Sequence, residues 1–261
     1  MLARPGSLPK YLVRQLQIQV GKARIPRIRL GTSPFIGAGQ FGSRAASYYA
    51  HFYENPENMV KIMLKAADLG VTGVQVLSYP RIFEAVKAAE RELEERLTVV
   101  GTVGPSDPLG NIQALQNFKT VAILLHGSIT DKRNLREISG LLDEARAANC
   151  PVGVATHQPL STLKWLLETK LDIDLVMLPV NRLGMFMDAE PPKIAEAIGR
   201  LHKPVIGKKV LAAGYLNPQD ALNYVALLRC VDAVALGVAS EREAEETLIA
   251  AAKVFYGVFG V

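Results

Sequence analysis

Cysteine is scarce in this chain: Cys150 and Cys230 are the two among 261 residues. Two thiols cannot ligate a four-cysteine zinc or iron–sulfur site, so neither is expected, and each sits just before a β-rich run where a small apolar side chain packs well. Long apolar runs are missing as well; none reaches the ~18 residues that span a bilayer. The first residues, MLARPGSLPK, lack the apolar stretch of a secretory signal. Acid is absent from the first thirty residues, which carry Arg4, Lys10, Arg14, Lys22, Arg24, Arg27 and Arg29. The remainder holds 23 basic against 25 acidic residues, so the net charge of +5 arises at the N-terminus alone. No nucleic-acid recognition motif accompanies that charge. The basic stretch reads instead as the solvent face of a β-hairpin over residues 1–27, with YLVRQLQIQV and RIPRIRLG alternating around Gly21–Lys22. The expectation is a soluble, cytoplasmic protein with no membrane and no nucleic-acid partner.

What is present is an alternation. From Arg27 onward, short β-rich runs take turns with helical patterns, the signature of parallel βαβ units. Strands are expected at Ile28–Gly31, Gly73–Leu77, Leu97–Val103, Thr120–Leu125, Pro151–Thr156, Leu175–Pro179, Pro204–Lys208 and Ala233–Leu236. Helices are expected at Pro56–Leu69, Ile82–Arg96, Asn111–Phe118, Asn134–Ala148, Ser161–Thr169, Pro192–Leu201, Pro218–Leu228 and Glu241–Phe255, with Ser161, Asn217 and Ser240 as N-caps. Eight of each in this length predict an α/β protein of one domain: a (β/α)8 TIM barrel over residues 1–261. Gly37-Ala38-Gly39-Gln40-Phe41-Gly42 fits G-x-G-x-x-G, but no helix is expected to carry its third glycine, so a Rossmann fingerprint is set aside. Residues 33–57 read as a loop dense in aromatics: Phe35, Phe41, Tyr48, Tyr49, Phe52 and Tyr53. Such a segment serves either as a wall over the barrel mouth or as a contact between copies of the chain.

Active-site groups of this fold come from strand C-terminal ends and the loops that follow. That rule selects His126, ending VAILLHG, and His157, ending VGVATH, as acid, base or hydrogen-bond groups. No carboxylate ends a neighbouring strand to complete a metal triad with them, so no metal is expected. Lys208 and Lys209 interrupt an apolar strand; one should face the lumen, as an anion ligand or a Schiff-base amine. The turns at Ala213–Asn217 and Gly237–Ser240, before helices, suit a phosphate. Gln75 and Asn181 stand at strand ends where substrate would lie.

These residues resemble a known family. AILLHG is similar to the fourth strand of aldo-keto reductases, whose histidine contacts the substrate carbonyl. GVATHQPLSTLKWLLETKLDIDLVMLPVN resembles strands five and six of the branch that often carries iron–sulfur clusters. GKKVLAAGYLNPQDALNYV and VDAVALGVASEREAEETL resemble that branch's region from strand seven to helix eight, which holds the cofactor's phosphates and adenine. The likeness spans residues 120–250, with a weaker echo at RIRLGTSPFIGAGQFG, and it implies that the N-terminal β-hairpin caps the barrel bottom, as one does in that family. It implies NAD(P) at Lys208, Gly214, Gly237, Ser240, Arg242, Glu246 and Thr247, with His126 and Tyr79 facing a small carbonyl substrate. The departures lie in the catalytic set. Gln75 stands where the family has aspartate, Val103 where it has lysine, and Tyr79 falls one residue short of the catalytic tyrosine. No cysteine cluster is present for an iron–sulfur group. Two other functions remain open on the residues alone. One is a non-redox lyase, aldolase or isomerase acting on a phosphorylated molecule through His126, His157 and an inward Lys209. The other is a barrel that binds a ligand without catalysis.

Overall fold

A computed structural model describes residues 7–260; Arg4 of the basic stretch lies outside them. The chain enters through a short helix, α1 (Lys10–Gln15), followed by an antiparallel hairpin of β1 (Gln17–Val20) and β2 (Ala23–Pro26). The first arm of the expected hairpin is therefore half helix. Val13 and Leu16, three apart, share one helical face and bury together, which a strand would not allow. Gly21 turns the hairpin at a φ of +56°.

Eight parallel strands then close a barrel: β3 (Ile28–Gly31), β4 (Gly73–Leu77), β5 (Thr98–Val103), β6 (Lys119–Leu125), β7 (Val152–Ala155), β8 (Leu175–Pro179), β9 (Val205–Lys208) and β10 (Ala233–Gly237). The last strand pairs with both β9 and β3, which seals the ring. At that seam a Cβ on Gly31 would approach the backbone of Leu236 and Gly237 to 3.2 Å, so the backbones meet closely because no side chain intervenes. Between strands run α2 (Ala45–Tyr48), α3 (Pro56–Asp68), α4 (Pro80–Leu93), α5 (Pro108–Leu115), α6 (Gly127–Thr130), α7 (Leu135–Arg146), α8 (Pro159–Thr169), α9 (Pro191–Leu201), α10 (Pro218–Leu228) and α11 (Glu241–Phe259). No helix among the described residues is long and apolar enough to cross a membrane.

Element boundaries follow proline. Helices α4, α5 and α8 start at Pro80, Pro108 and Pro159, two or three residues before the apolar periodicity begins, since proline fits the first helical turn. Ser161 therefore lies inside α8 rather than capping it. The carboxylate of Asp188 caps that end instead, accepting from the Leu160 and Ser161 amides at 2.8 and 2.9 Å. Asn217 and Ser240 cap α10 and α11 as their positions predict.

The core has two layers. Outward strand residues such as Val74, Val154 and Val234 pack under the helices. Inward ones, including Val100, Ala122, Leu124, Met177 and Ile206, fill the lumen, and Ile18, Val20 and Ile25 of the hairpin join them from below. The hairpin is thus a plug. Its basic surroundings are not simply a solvent face: Arg14 forms a two-pronged pair with Glu95 at 3.1 and 2.8 Å, and Lys10 meets Asp68 at 2.7 Å. Arg27 donates to the Asp232 carbonyl at 2.7 Å and lies 3.8 Å over the Phe259 ring. Arg29 is fully buried in the lumen.

The aromatic segment is not a loop. It winds through 3-10 turns at Pro34–Ile36 and Gly39–Arg44, then α2, then a π-helical turn at Tyr49–Tyr53. Phe35 and Phe52 are fully buried, their rings 4.9 Å apart. Tyr53 meets Tyr79 edge-on at 6.1 Å, which joins the segment to the end of β4.

Candidate active site

The chemically active groups gather on one side of the barrel mouth, after β6, β7 and β9. The His126 backbone N–H donates to the Val103 carbonyl, which continues the ladder one residue past β6, and its side chain caps α6. Its Nδ1 accepts from the Ser128 amide at 3.2 Å and lies 2.7 Å from the Ser128 hydroxyl. An amide N–H can only donate, so Nδ1 carries the lone pair and Nε2 carries the proton. Burial, then the charges of His157 and Lys208, pull His126 down to about 4. It is neutral at physiological pH.

His157 is oriented the opposite way. Its Nδ1 lies 3.3 Å from Asp131 Oδ2, and its backbone N–H donates to the same oxygen at 3.0 Å. A carboxylate only accepts, so Nδ1 holds the proton and Nε2 is bare. Asp131 also accepts from the Thr156 and Thr162 hydroxyls. Burial would raise its carboxyl, but the hydrogen bonds from His157 and Thr156 outweigh that and hold it below the ordinary range. For His157 the Asp131 bond raises the pKa, while burial and the two lysines more than offset it; the net direction is down. The two imidazole rings stand 5.1 Å apart at 69°. The mouth therefore presents two neutral histidines, one Nε2–H donor and one Nε2 acceptor.

Two residues that complete this pair were not singled out from the sequence. Asp131 lies five positions after His126, at the end of the one-turn helix α6, so only the fold brings it beneath the next strand's histidine. Gly127 is the other: a Cβ there would lie 2.3 Å from His157 Nδ1. The adjacent His-Gly was the available signal.

Strand alternation decides between the lysines. Val205 packs in the outer layer and Ile206 in the lumen. Lys208 therefore faces inward, and burial, with Lys209 beside it, lowers its ammonium to about 7. Lys209 is past the strand, at a φ of +56°, with Nζ 4.9 Å over the Phe186 ring. The inward lysine of the non-redox alternative is thus Lys208 rather than Lys209.

The opposite side of the mouth is quiet. Gln75 is buried, its Nε2 donating to the Val100 carbonyl at 3.0 Å and to Thr102 Oγ1 at 2.7 Å. Its Oε1 is buried without a partner. Val103, where the resemblance would want a lysine, packs into the outer layer. A neutral glutamine–threonine pair stands where an ion pair would tune a tyrosine. Tyr79 is 43% exposed at the start of α4. Asn181 does not reach substrate: it is fully buried, and both its polar side-chain atoms bond to the Met185 backbone, closing a turn.

The phosphate turns differ from one another. The α11 N-terminus is closed by its own side chains, for Glu243 accepts from the Ala239 amide at 2.8 Å while Ser240 accepts from the Glu243 amide at 3.1 Å. A carboxylate already meets the positive helix end. A Cβ on Gly237 would fall 2.9 Å from the Pro34 ring, so its bareness serves chain packing. Thr247 is buried, and Arg242 is paired with Glu246 at 2.9 Å on the surface. The turn after β9 is open instead. Ala212, Ala213 and Gly214 have φ values of +48°, +57° and +91° in succession. Non-glycine residues held left-handed cost of order 1 kcal/mol or more each, and such strain collects at functional sites. The Arg44 guanidinium donates to the Ala213 carbonyl and lies 3.5 Å from where a Gly214 Cβ would be. A surface groove of about 870 Å3 lies between α10 and α11 along Leu227 and Val258, and shares no residue with the histidine cluster.

No family model and no curated protein sequence matches the chain. Solved structures do. One described as an aldo-keto reductase of Pseudomonas aeruginosa superposes with a TM-score of 0.66 at 17% identity, over 93% of this chain and 96% of that one. A structure described as a 2,5-diketo-D-gluconic acid reductase B gives 0.60 at 16%, covering 95% and 92%. An aldo-keto reductase from a Medee basin deep-sea metagenome library gives 0.60 at 12%, covering 94% and 95%. The shared feature is the barrel fold.

Proposed function

We propose that the protein is an aldo-keto-reductase-like oxidoreductase acting on a small carbonyl compound, in which a histidine pair takes the place of the tyrosine-centred set. The observation that carries this reading is the complementary protonation of His126 and His157. His126 Nε2–H donates a hydrogen bond to the substrate oxygen and polarises it. His157 Nε2, held in that tautomer by Asp131, receives the proton of a substrate hydroxyl as a carbonyl forms. Because His157 is pulled below its ordinary value, it is unprotonated at neutral pH, which favours the alcohol-to-carbonyl direction over reduction. Tyr79 and Tyr53 wall the opposite side.

A nicotinamide dinucleotide, when bound, supplies or accepts the hydride. The residues suited to its phosphates are those of the open turn after β9, where Arg44 brings positive charge beside the bare Gly214. Arg242 and Glu246 lie further out, within reach of an adenosine end; the buried Thr247 and the self-capped Ser240 contribute nothing to that contact. Titration of the full chain with NADPH and NADH, by fluorescence and calorimetry, is the test. Binding weakened by Arg44→Ala supports the reading, and no binding at millimolar cofactor overturns it.

A further inference from the structure

Lys208 has no task in the hydride chemistry proposed above, yet it holds a central position at the mouth. Strand β9 sends Val205 into the outer layer, and a Cβ on Gly207 would meet Val231 and Val210 there, at 3.1 and 3.5 Å. Ile206 joins the lumen cluster, so Lys208 follows it inward at the rim. No carboxylate pairs with its ammonium among the described residues. Asp131, the acid whose charge reaches it, is committed to His157, Thr156 and Thr162. Lys209 adds a like charge from the next position, and the charge of Lys208 is felt by both His126 and His157. A cation in that position is better off as the free amine.

We propose that the Lys208 amine captures a small aldehyde or ketone as a Schiff base, giving the barrel a lysine-dependent carbonyl chemistry that needs no nucleotide. The Nζ lone pair attacks the carbonyl carbon, and the C=O electron pair moves onto oxygen, where His126 Nε2–H stabilises it. Each of the two amine protons then passes through the bare Nε2 of His157 to that oxygen. The C–O bond breaks, the oxygen leaves as water, and a C=N bond to Lys208 remains. One carbonyl and one amine thus give one imine and one water, with no oxidant or reductant consumed. Protonated, the imine withdraws electrons from the neighbouring C–C or C–H bond, which places the activity among lyases and isomerases. Lys209 and Arg44 select for carbonyl compounds that carry a negative charge.

Burial sets the amine near 7, so at neutral pH Lys208 holds about three orders of magnitude more free base than an ordinary lysine. The test uses the full chain without nucleotide, incubated with pyruvate or with acetone, reduced with borohydride, and read by intact mass and peptide mapping. The expected result is one adduct, on the peptide bearing Lys208, forming at least ~10-fold faster than at exposed lysines and faster with pyruvate than with acetone. Its rate should rise with pH to about 7 and level off, as the amine loses its proton. Lys208→Met and Lys208→Arg should both abolish the adduct, and Lys203→Met, on the exposed turn before β9, should leave it unchanged. Labelling spread over surface lysines, a rate still climbing at pH 10, or an adduct that survives both Lys208 variants would overturn the proposal. The nucleotide titration reads the oxidoreductase function separately, so either reading can fail alone.

Discussion

The two sides of the barrel mouth are built from the same strand register and differ in charge. On the β4–β5 side, Gln75 and Thr102 share a neutral hydrogen bond and Val103 turns away. On the β6–β9 side, four titratable groups and a second lysine crowd together, and every histidine and lysine among them is displaced from its ordinary pKa. A shared fold therefore constrains the scaffold of a site without constraining which arc of it is reactive. Tuning by burial acts where titratable groups remain, and at the ends of β4 and β5 Gln75, Thr102 and Val103 offer none.

Breaking the reactive arc should have the largest consequence. Asp131→Ala removes the acceptor that holds the His157 proton on Nδ1; turnover should fall by ~10²-fold or more. The His157 titration followed by NMR should move lower, because its largest raising influence is gone. An unchanged His157 titration would show that the carboxylate does not orient the ring.

Lys208→Met should stabilise the protein by ~2–4 kcal/mol at pH 7, allowing for partial solvent access. The sign follows from the lowered amine: between about 7 and 10.5 the unfolded chain binds a proton that the folded chain does not. Wild-type stability should therefore climb with pH through that window, and the variant's should climb less steeply, by the part that Lys208 contributes. Parallel denaturation curves for the two at pH 7 and pH 10 decide it.

His126 gives a similar effect at lower pH. With its folded value near 4 against 6.5, the wild type should lose up to ~3 kcal/mol as pH falls through that interval. His126→Gln should lose less over the same range, measured by urea unfolding.

The quiet arc should respond weakly. Thr102→Val leaves Gln75 Nε2 bonded to the Val100 carbonyl alone, at a cost of ~1 kcal/mol. Its effect on the His157 titration should be nil; a shift there would mean that the arcs communicate. Smallest of all, Arg242→Ala removes a fully exposed ion pair and should leave the melting temperature unchanged.

Much of this was readable in the chain. The eight β-rich runs fall on the eight barrel strands within about a residue, because buried parallel strands must be continuous apolar stretches between breakers. His126 and His157 were legible for the same reason, being polar residues placed where such runs end. Other features were not. The YLVRQ segment carries apolar positions that fit either period, and only contact with the barrel floor made it a helix. The aromatic stretch gave no sign of its helical winding. Ser240 is an N-cap in sequence and structure alike, and whether its helix end also takes a phosphate was not legible: a capping box and an anion site share one sequence pattern and differ in which acceptor arrives, here Glu243.

By itself, then, the sequence determined the barrel and the strand ends from which chemistry must come, since these follow from local periodicity and from the length of apolar runs. Tertiary structure decided what those ends can do. Closure of the ring brought Asp131 under His157, set the two histidines in opposite tautomers, and turned Lys208 rather than Lys209 into the lumen. Protonation and orientation depend on neighbours distant in the chain, and in a closed barrel those neighbours come from the adjoining strands.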